Sequence, residues 1–189
     1  MLELKNLCFS YGQRPVIQNL SLSLGDGERL LLTGPSGCGK STLLALIAGL
    51  LQPDSGSIRC GARIALCFQD LRLLPQLDAL HNVNAVLSDR ARTLPEARRW
   101  LEEAGLEECA PLRPDRLSGG QARRLALIRA LAAPSELLLL DEPFSALDAQ
   151  TRRRMLALTD RAAQGKALLL VSHDRGDGEA LGAKILDWT

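Results

Sequence analysis

Gly34-Pro35-Ser36-Gly37-Cys38-Gly39-Lys40-Ser41-Thr42 fits the spacing G-x-x-x-x-G-K-[ST]. The chemistry of that pattern is phosphate capture. Its glycines let successive backbone N–H groups turn inward around an anion without a Cβ in the way, and a helix N-terminus behind them adds a positive dipole. Lys40 can then reach the β- and γ-phosphates of a nucleotide, and Ser41 offers its hydroxyl to the Mg²⁺ that bridges them. Further along, Leu137-Leu138-Leu139-Leu140-Asp141-Glu142 ends an apolar run in two carboxylates. Ligands gather at such strand ends in open α/β sheets, which would place Asp141 in the Mg²⁺ shell and Glu142 at an attacking water. Alone, an Asp-Glu pair is more often a solvated strand end; the phosphate loop is what lends it a role. ATP and Mg²⁺ are the expected ligands and hydrolysis of ATP the expected reaction.

Leu117-Ser118-Gly119-Gly120-Gln121 opens an amphipathic pattern that carries Leu125, Ile128 and Leu131. Ser118 suits a helix N-cap, and the plain reading is a cap followed by flexible glycines. The alternative is a second anion site, because capped helix starts with glycine-exposed amides bind phosphate.

These residues need elements to hold them. Leu2, Leu4, Leu7 and Phe9, then Val16, Ile17, Leu20, Leu22 and Leu24, nearly alternate with polar residues on either side of Tyr11-Gly12-Gln13-Arg14-Pro15, which predicts an antiparallel pair. Arg29 to Thr33 is an almost wholly apolar run before the glycine loop, as in a strand buried on both faces. Ser41 to Leu51 reads as the following helix. Ile64 to Phe68, Leu137 to Leu140 and Ala167 to Val171 are further short apolar runs, interleaved with helical patterns, so the sheet should be mainly parallel. Between Pro75 and Arg116 the pattern is read as wholly helical, with Pro95 to Glu102 a helix started by its proline. The expected fold is an α/β P-loop NTPase: a mainly parallel sheet, an antiparallel β subdomain and an inserted α-helical subdomain. One domain, 1–189, is expected, with 1–70 and 134–189 as core and 71–133 as the helical lobe.

Composition narrows the partners. Lys and Arg total 23 against 22 for Asp and Glu, so net charge draws the chain neither to nucleic acid nor to a membrane surface, and no nucleic-acid partner is expected. The arginines are scattered along helical segments and form no RNA-binding stripe. Five cysteines, Cys8, Cys38, Cys60, Cys67 and Cys109, contain no CxxC pair, which favours a reducing compartment over a disulfide framework or zinc knuckle. The longest apolar run, Leu43 to Leu51, is about half of the ~18 residues a membrane span needs, and the opening residues lack a signal-peptide layout.

Taken in order, the motifs resemble those of the ATP-binding cassette ATPases, the nucleotide-binding subunits of ABC transporters, over essentially the whole chain. Gly34 to Thr42 stands as the phosphate loop, Gln69 as the Q-loop glutamine, Leu117 to Gln121 as the signature, Leu137 to Glu142 as Walker B, Ser145 to Asp148 as the D-loop and His173 as the switch histidine. Tyr11 stands where an aromatic ring stacks on adenine. The resemblance implies catalytic roles for Glu142, His173, Gln69 and Lys40. It implies nucleotide contacts from Tyr11, Gly34, Pro35, Ser36, Gly37, Cys38, Gly39, Lys40, Ser41, Thr42, Ser118, Gly119, Gly120, Gln121 and Asp148, and Mg²⁺ contacts from Ser41, Gln69 and Asp141.

It also explains the second anion site. Cassettes of this family pair head to tail, so Ser118 and Gly120 would act on the nucleotide of a second ATPase subunit, by expectation an identical copy. Phe68 to Pro75, followed by Asn82-Val83, looks like the Q-loop region of bacterial nitrate, sulfonate, molybdate and thiamine importers. Leu71, Leu73, Leu74 and Leu77 either line a groove for an integral membrane permease or pack the lobe. The expected setting is the cytoplasmic face of the inner membrane, as a peripheral importer subunit, with an extracytoplasmic substrate-binding protein a further partner. An exporter subunit and a soluble non-transport cassette are the alternatives. The chain is short for the family between Gly56 and Gln69, where loss of a strand or turn is expected. It stops soon after an apparent strand Lys184 to Trp188, so no regulatory C-terminal domain is expected.

Overall fold

The computed structural model of the protein describes residues 2–87 and 93–188. Residues 88–92, inside the segment read as helical, and the chain end at Thr189 lie outside them.

The expected hairpin is present. β1 (Leu2–Tyr11) and β2 (Arg14–Leu24) pair antiparallel, from Leu2 opposite Leu24 to Tyr11 opposite Arg14. The alternation slips between Leu4 and Leu7, where Asn6 adopts φ 47 and the register shifts, and this irregularity turns Leu7 and Phe9 back into the core. β4 (Ser55–Cys60) covers the other edge of β1, giving a three-stranded sheet in the order β2-β1-β4.

The second sheet contains β3 (Arg29–Thr33), β5 (Ile64–Cys67), β6 (Leu137–Asp141), β7 (Ala167–Val171) and β8 (Lys184–Asp187), in the order β5-β6-β7-β3-β8. β6, β7, β3 and β8 are mutually parallel. Both faces of its centre are buried, which is why these strands read as continuous leucine runs. Alternate residues Leu30, Leu32, Leu137, Leu139, Leu169 and Val171 form one core with Leu43, Leu44, Leu46 and Ile47 of α1 (Lys40–Ile47) and with Leu2, Leu4, Leu7 and Phe9. Each such buried leucine contributes about 2 kcal/mol.

The helix read as Ser41 to Leu51 is shorter than expected. It ends at Ile47 because Gly49 enters the left-handed region at φ 72, with Gly49 N–H donating to Leu46 and Leu50 N–H to Ala45. That is a Schellman stop, and Gly49 was its signal in the sequence.

By compactness the chain forms two units, residues 1–66, 135–141 and 165–189 in the first and 67–134 and 142–164 in the second. The second holds α2 (Ala79–Asn84), α3 (Leu94–Glu103), α4 (Gly119–Ala132) and α5 (Ala149–Ala162), with Val83, Ala97, Leu101, Leu125, Ile128 and Met155 in its core. The wholly helical reading of Pro75 to Arg116 needs correction. Between α3 and α4 the chain makes only two short 3₁₀ turns, Glu107–Cys109 and Pro114–Arg116, because Pro111 and Pro114 cannot donate to a continuing helix. Among the described residues no helix is long and apolar enough to cross a membrane.

Candidate nucleotide site

In the first unit, β3 runs into the glycine loop and the loop into α1. Two of its glycines are required by close packing. Gly39, at φ 107, would bring a Cβ within 2.8 Å of Val16 Cγ1, and a Cβ on Gly34, at φ 153, would run into the Trp188 carbonyl. Lys40 opens α1 with its side chain folded back over the loop. It is only 8% exposed, and Nζ donates to the carbonyls of Gly34 and Pro35 at 2.8 Å each, with Cys38 Sγ at 3.6 Å. A buried ammonium whose acceptors here are uncharged favours an anion at the same mouth.

The strand register sets what stands near that loop. Leu32 pairs with Val171 and Val171 with Asp141, so the three share one row at the C-terminal ends of β3, β7 and β6. The glycine loop, Asp141 and His173 therefore leave the same edge of the sheet. Asp141 is 5% exposed, whereas His173 is exposed.

The turn carrying His173 is held from below by a pair that the sequence reading missed. Ser172 Oγ donates to Asp177 Oδ2 at 2.6 Å and accepts from the Asp174 N–H at 3.1 Å, and both Ser172 and Asp177 are nearly fully buried. Asp174 caps α6 (Arg175–Ala180) through the Gly176 N–H, and Gly178 lets α6 lie so close to β3 that a Cβ would meet Leu31 Cδ2 at 2.7 Å. A hydroxyl directly after a buried strand, with a carboxylate five residues on, was the available clue.

Tyr11, at the end of β1, is 54% exposed and stands edge-on to Phe9 at 4.9 Å between ring centroids. That leaves a ring face open to a planar ligand.

The second unit holds Gln69, the Ser118–Gln121 turn, Glu142 and Asp148. Glu142 adopts φ 47, a left-handed conformation that side chains with a Cβ avoid, and its carbonyl accepts from Ser145 Oγ at 2.9 Å and Ser145 N–H at 3.3 Å. Strain of this kind clusters at functional sites. Asp148 caps α5, accepting from the N–H groups of Gln150 and Thr151, and hydrogen bonds from Thr151 foremost hold its carboxyl below the usual aspartate range. Ser118 and Gln121 form a reciprocal capping box on α4. The Gln69 side chain is exposed while its carbonyl accepts from Arg123 Nη1 at 2.9 Å. Leu71, Leu73, Leu74 and Leu77 are all half-buried.

Among the described residues no group of three or more His, Cys, Asp or Glu could hold a metal ion by itself. The Ser41 hydroxyl and Asp141 carboxylate are nevertheless oxygen donors suited to a small hard cation. Mg²⁺ is commonly bound by one or two protein oxygens together with substrate phosphates, so the residues fit a metal that arrives with a nucleotide.

A parallel sheet with a glycine loop between β3 and α1, an antiparallel sheet beside it and a helical unit define a P-loop NTPase fold with the layout of an ATP-binding cassette. Residues 17–145 match the ABC transporter family, to which the chain belongs. It is 46% identical over 175 residues to the taurine import ATP-binding protein TauB of Pseudomonas aeruginosa, covering 85% of this chain and 66% of that protein. It is likewise 46% identical over 184 residues to the aliphatic sulfonates import ATP-binding protein SsuB 1 of Burkholderia lata, covering 93% of this chain and 57% of that one. The chain thus spans less than two thirds of the length of these relatives. A solved ATP-binding cassette, dimeric and bound to ADP and Pi in a post-hydrolysis state, superposes with a TM-score of 0.89 at 29% identity, covering 100% of this chain and 94% of that one.

Proposed function

We propose that the chain binds and hydrolyses ATP as the energy subunit of an ABC import system. The observation that carries this reading is the buried Lys40 ammonium folded over a glycine loop that shares a sheet edge with Asp141 and His173. The loop amides of Gly34 to Thr42 and Lys40 bind the β- and γ-phosphates, and Tyr11 stacks on adenine. Ser41, Asp141 and Gln69 would hold Mg²⁺, which when bound would supply positive charge against the phosphate oxygens. Glu142 takes the proton of the attacking water and His173 contacts the γ-phosphate, with Gln69 helping to place the water.

Residues 71–133 act as the signature lobe between core segments 1–70 and 134–189. Ser118, Gly119, Gly120 and Gln121 serve a second copy of the chain, closing over the nucleotide in that copy's loop while Asp148 faces the shared interface. The taurine and sulfonate relatives favour import over export and over a non-transport role. In this reading the protein docks on integral membrane permease subunits at the cytoplasmic face of the inner membrane, through Leu71, Leu73, Leu74 and Leu77. An extracytoplasmic binding protein delivers the cargo.

The test compares native protein with Lys40→Ala, measuring labelled-ATP binding and phosphate release in the presence of Mg²⁺. Loss of the phosphate-bound cation should lower turnover about a hundredfold or more. A variant that binds and turns over ATP like the native chain would refute the assignment.

A further inference from the structure

The second unit contains a hydrogen-bonded strut that none of the motifs calls for. Arg123 and Arg129 both project from α4, the helix that begins at the Ser118–Gln121 turn. Arg123 Nη1 donates to the carbonyl of Gln69 at 2.9 Å, and Arg129 Nη2 lies 3.3 Å from the carbonyl of Leu71. Arg129 also reaches Asn82 Oδ1 at 3.5 Å. Asn82, fully buried on α2, extends the line. Its Oδ1 accepts from the Leu74 N–H at 2.9 Å, and its Nδ2 stands 3.0–3.1 Å from the carbonyls of Leu74, Leu77 and Asp78.

The backbone from Gln69 to Asp78 has no helix or strand of its own to satisfy its polar groups. The Leu74 N–H and the carbonyls of Gln69, Leu71, Leu74, Leu77 and Asp78 take side-chain partners from α4 and α2 in place of a ladder, beside one backbone bond from the Leu77 N–H to the Leu74 carbonyl. Two features show that the arrangement is more than generic packing. Arg72 inside the segment is held at φ 43 with its guanidinium 3.8 Å over the Phe68 ring, so the segment has one specific shape. Arg129 is largely removed from water, burial pulls its pKa below the usual arginine range, and its hydrogen-bond acceptors are neutral oxygens of the segment and of Asn82.

We propose that Arg123 and Arg129 are positioning residues that fasten the Gln69–Asp78 segment to the signature helix, so that segment and signature move as one piece. The inference rests on the functional reading above, in which Gln69 serves the nucleotide, the leucines of the segment face the permease and Ser118 to Gln121 face the second copy. A push on the leucines then reaches the signature through two guanidinium bonds and Asn82, without passing through the glycine loop. Neither arginine touches nucleotide or metal in this scheme. Their effect is on where Gln69 and the signature stand when the site closes.

Arg123 offers the cleaner test, since its partner is a backbone carbonyl and its loss leaves the core of the unit intact. Amide hydrogen exchange on Arg123→Ala should rise at residues 69–77, while the thermal midpoint stays within about 2 °C of native, as for a partly exposed side chain. Turnover at saturating ATP should fall about tenfold with KM for ATP within about twofold, the pattern of a group that acts in the closed state and not in ground-state binding. Arg123→Lys keeps a charged donor and should recover about half of the lost turnover. Native-like exchange at 69–77 in Arg123→Ala would overturn the strut whether or not the protein proves to be an ATPase. A native enzyme that hydrolyses ATP, together with an Arg123→Ala variant of unchanged kcat, would overturn the positioning role while leaving the functional reading in place. Failure of the native chain itself to hydrolyse ATP would instead defeat both.

Discussion

Glu142 combines a proposed catalytic carboxylate with a backbone angle that favours glycine, and these two properties can be separated by comparing Glu142→Ala with Glu142→Gly. Both variants remove the carboxylate; they differ by one Cβ. At φ 47 a Cβ costs about 1–2 kcal/mol, which alanine retains and glycine does not. Against this, glycine gives up about 0.5–1 kcal/mol more chain entropy on folding than alanine does. With each cost at the middle of its range, the difference leaves the glycine variant more stable than the alanine variant by about 0.7 kcal/mol, the reverse of the order at an ordinary position. The hydrogen bonds from Ser145 to residue 142 survive in both, because their acceptor is the main-chain carbonyl.

For a domain of this size the gap corresponds to about 1–4 °C in the thermal midpoint, measured by melts of the two variants side by side. Ala157, exposed in the interior of α5, supplies the control, since Gly there should be less stable than Ala by about 1 kcal/mol. Both Glu142 variants should lose turnover to a similar extent, about a hundredfold or more, because the proposed general base is gone from each. An alanine variant as stable as the glycine variant would refute the claim that the chain stores strain at this position. Substantial turnover by either would remove Glu142 from the chemistry.

Ser118 separates capping from anion binding. Ser118→Ala loses the acceptor for the Gln121 N–H and should cost about 1 kcal/mol, or about 2–4 °C in thermal melts. Ser118→Asp restores an acceptor and the stability but places a negative charge where the partner's phosphate would sit, so turnover should stay low; full activity in Ser118→Asp would refute the second anion site. Asp148 predicts a pH signature. Its folded-state pKa is depressed by Thr151 and Gln150, so its contribution is present above the ordinary aspartate pKa and fades as pH falls through the lowered value. The stability difference between native protein and Asp148→Asn, followed by urea denaturation, should therefore be flat near neutrality and shrink in acid below the usual aspartate range. A difference that stays constant into strong acid would contradict the depressed pKa.

Local pattern made much of this chain legible. The glycine spacing before Lys40, the leucine runs at 29–33, 137–140 and 167–171, and the hairpin around Gly12 are signals carried by neighbouring residues, and the elements formed close to where they were read. Gly49 stops α1 by the same local rules, and Pro111 and Pro114 break the helical stretch, so both boundaries carry local signals in the sequence. The bonds that aim the candidate site are different in kind. Arg123 meets Gln69 across 54 residues, Asn82 gathers carbonyls of a loop with no periodicity, and the row Leu32, Val171 and Asp141 exists only through strand register.

The sequence by itself determined which chemistry is available, because glycine freedom, strand burial and the charge of Lys40, Asp141 and Glu142 are properties of residues and their immediate neighbours. Only the tertiary structure decided which of those groups share a sheet edge, how the His173 turn is braced by Ser172 and Asp177, and that Glu142 is held at a left-handed angle. Side-chain hydrogen bonds and strand register join positions far apart in the chain, and no local pattern specifies their pairing.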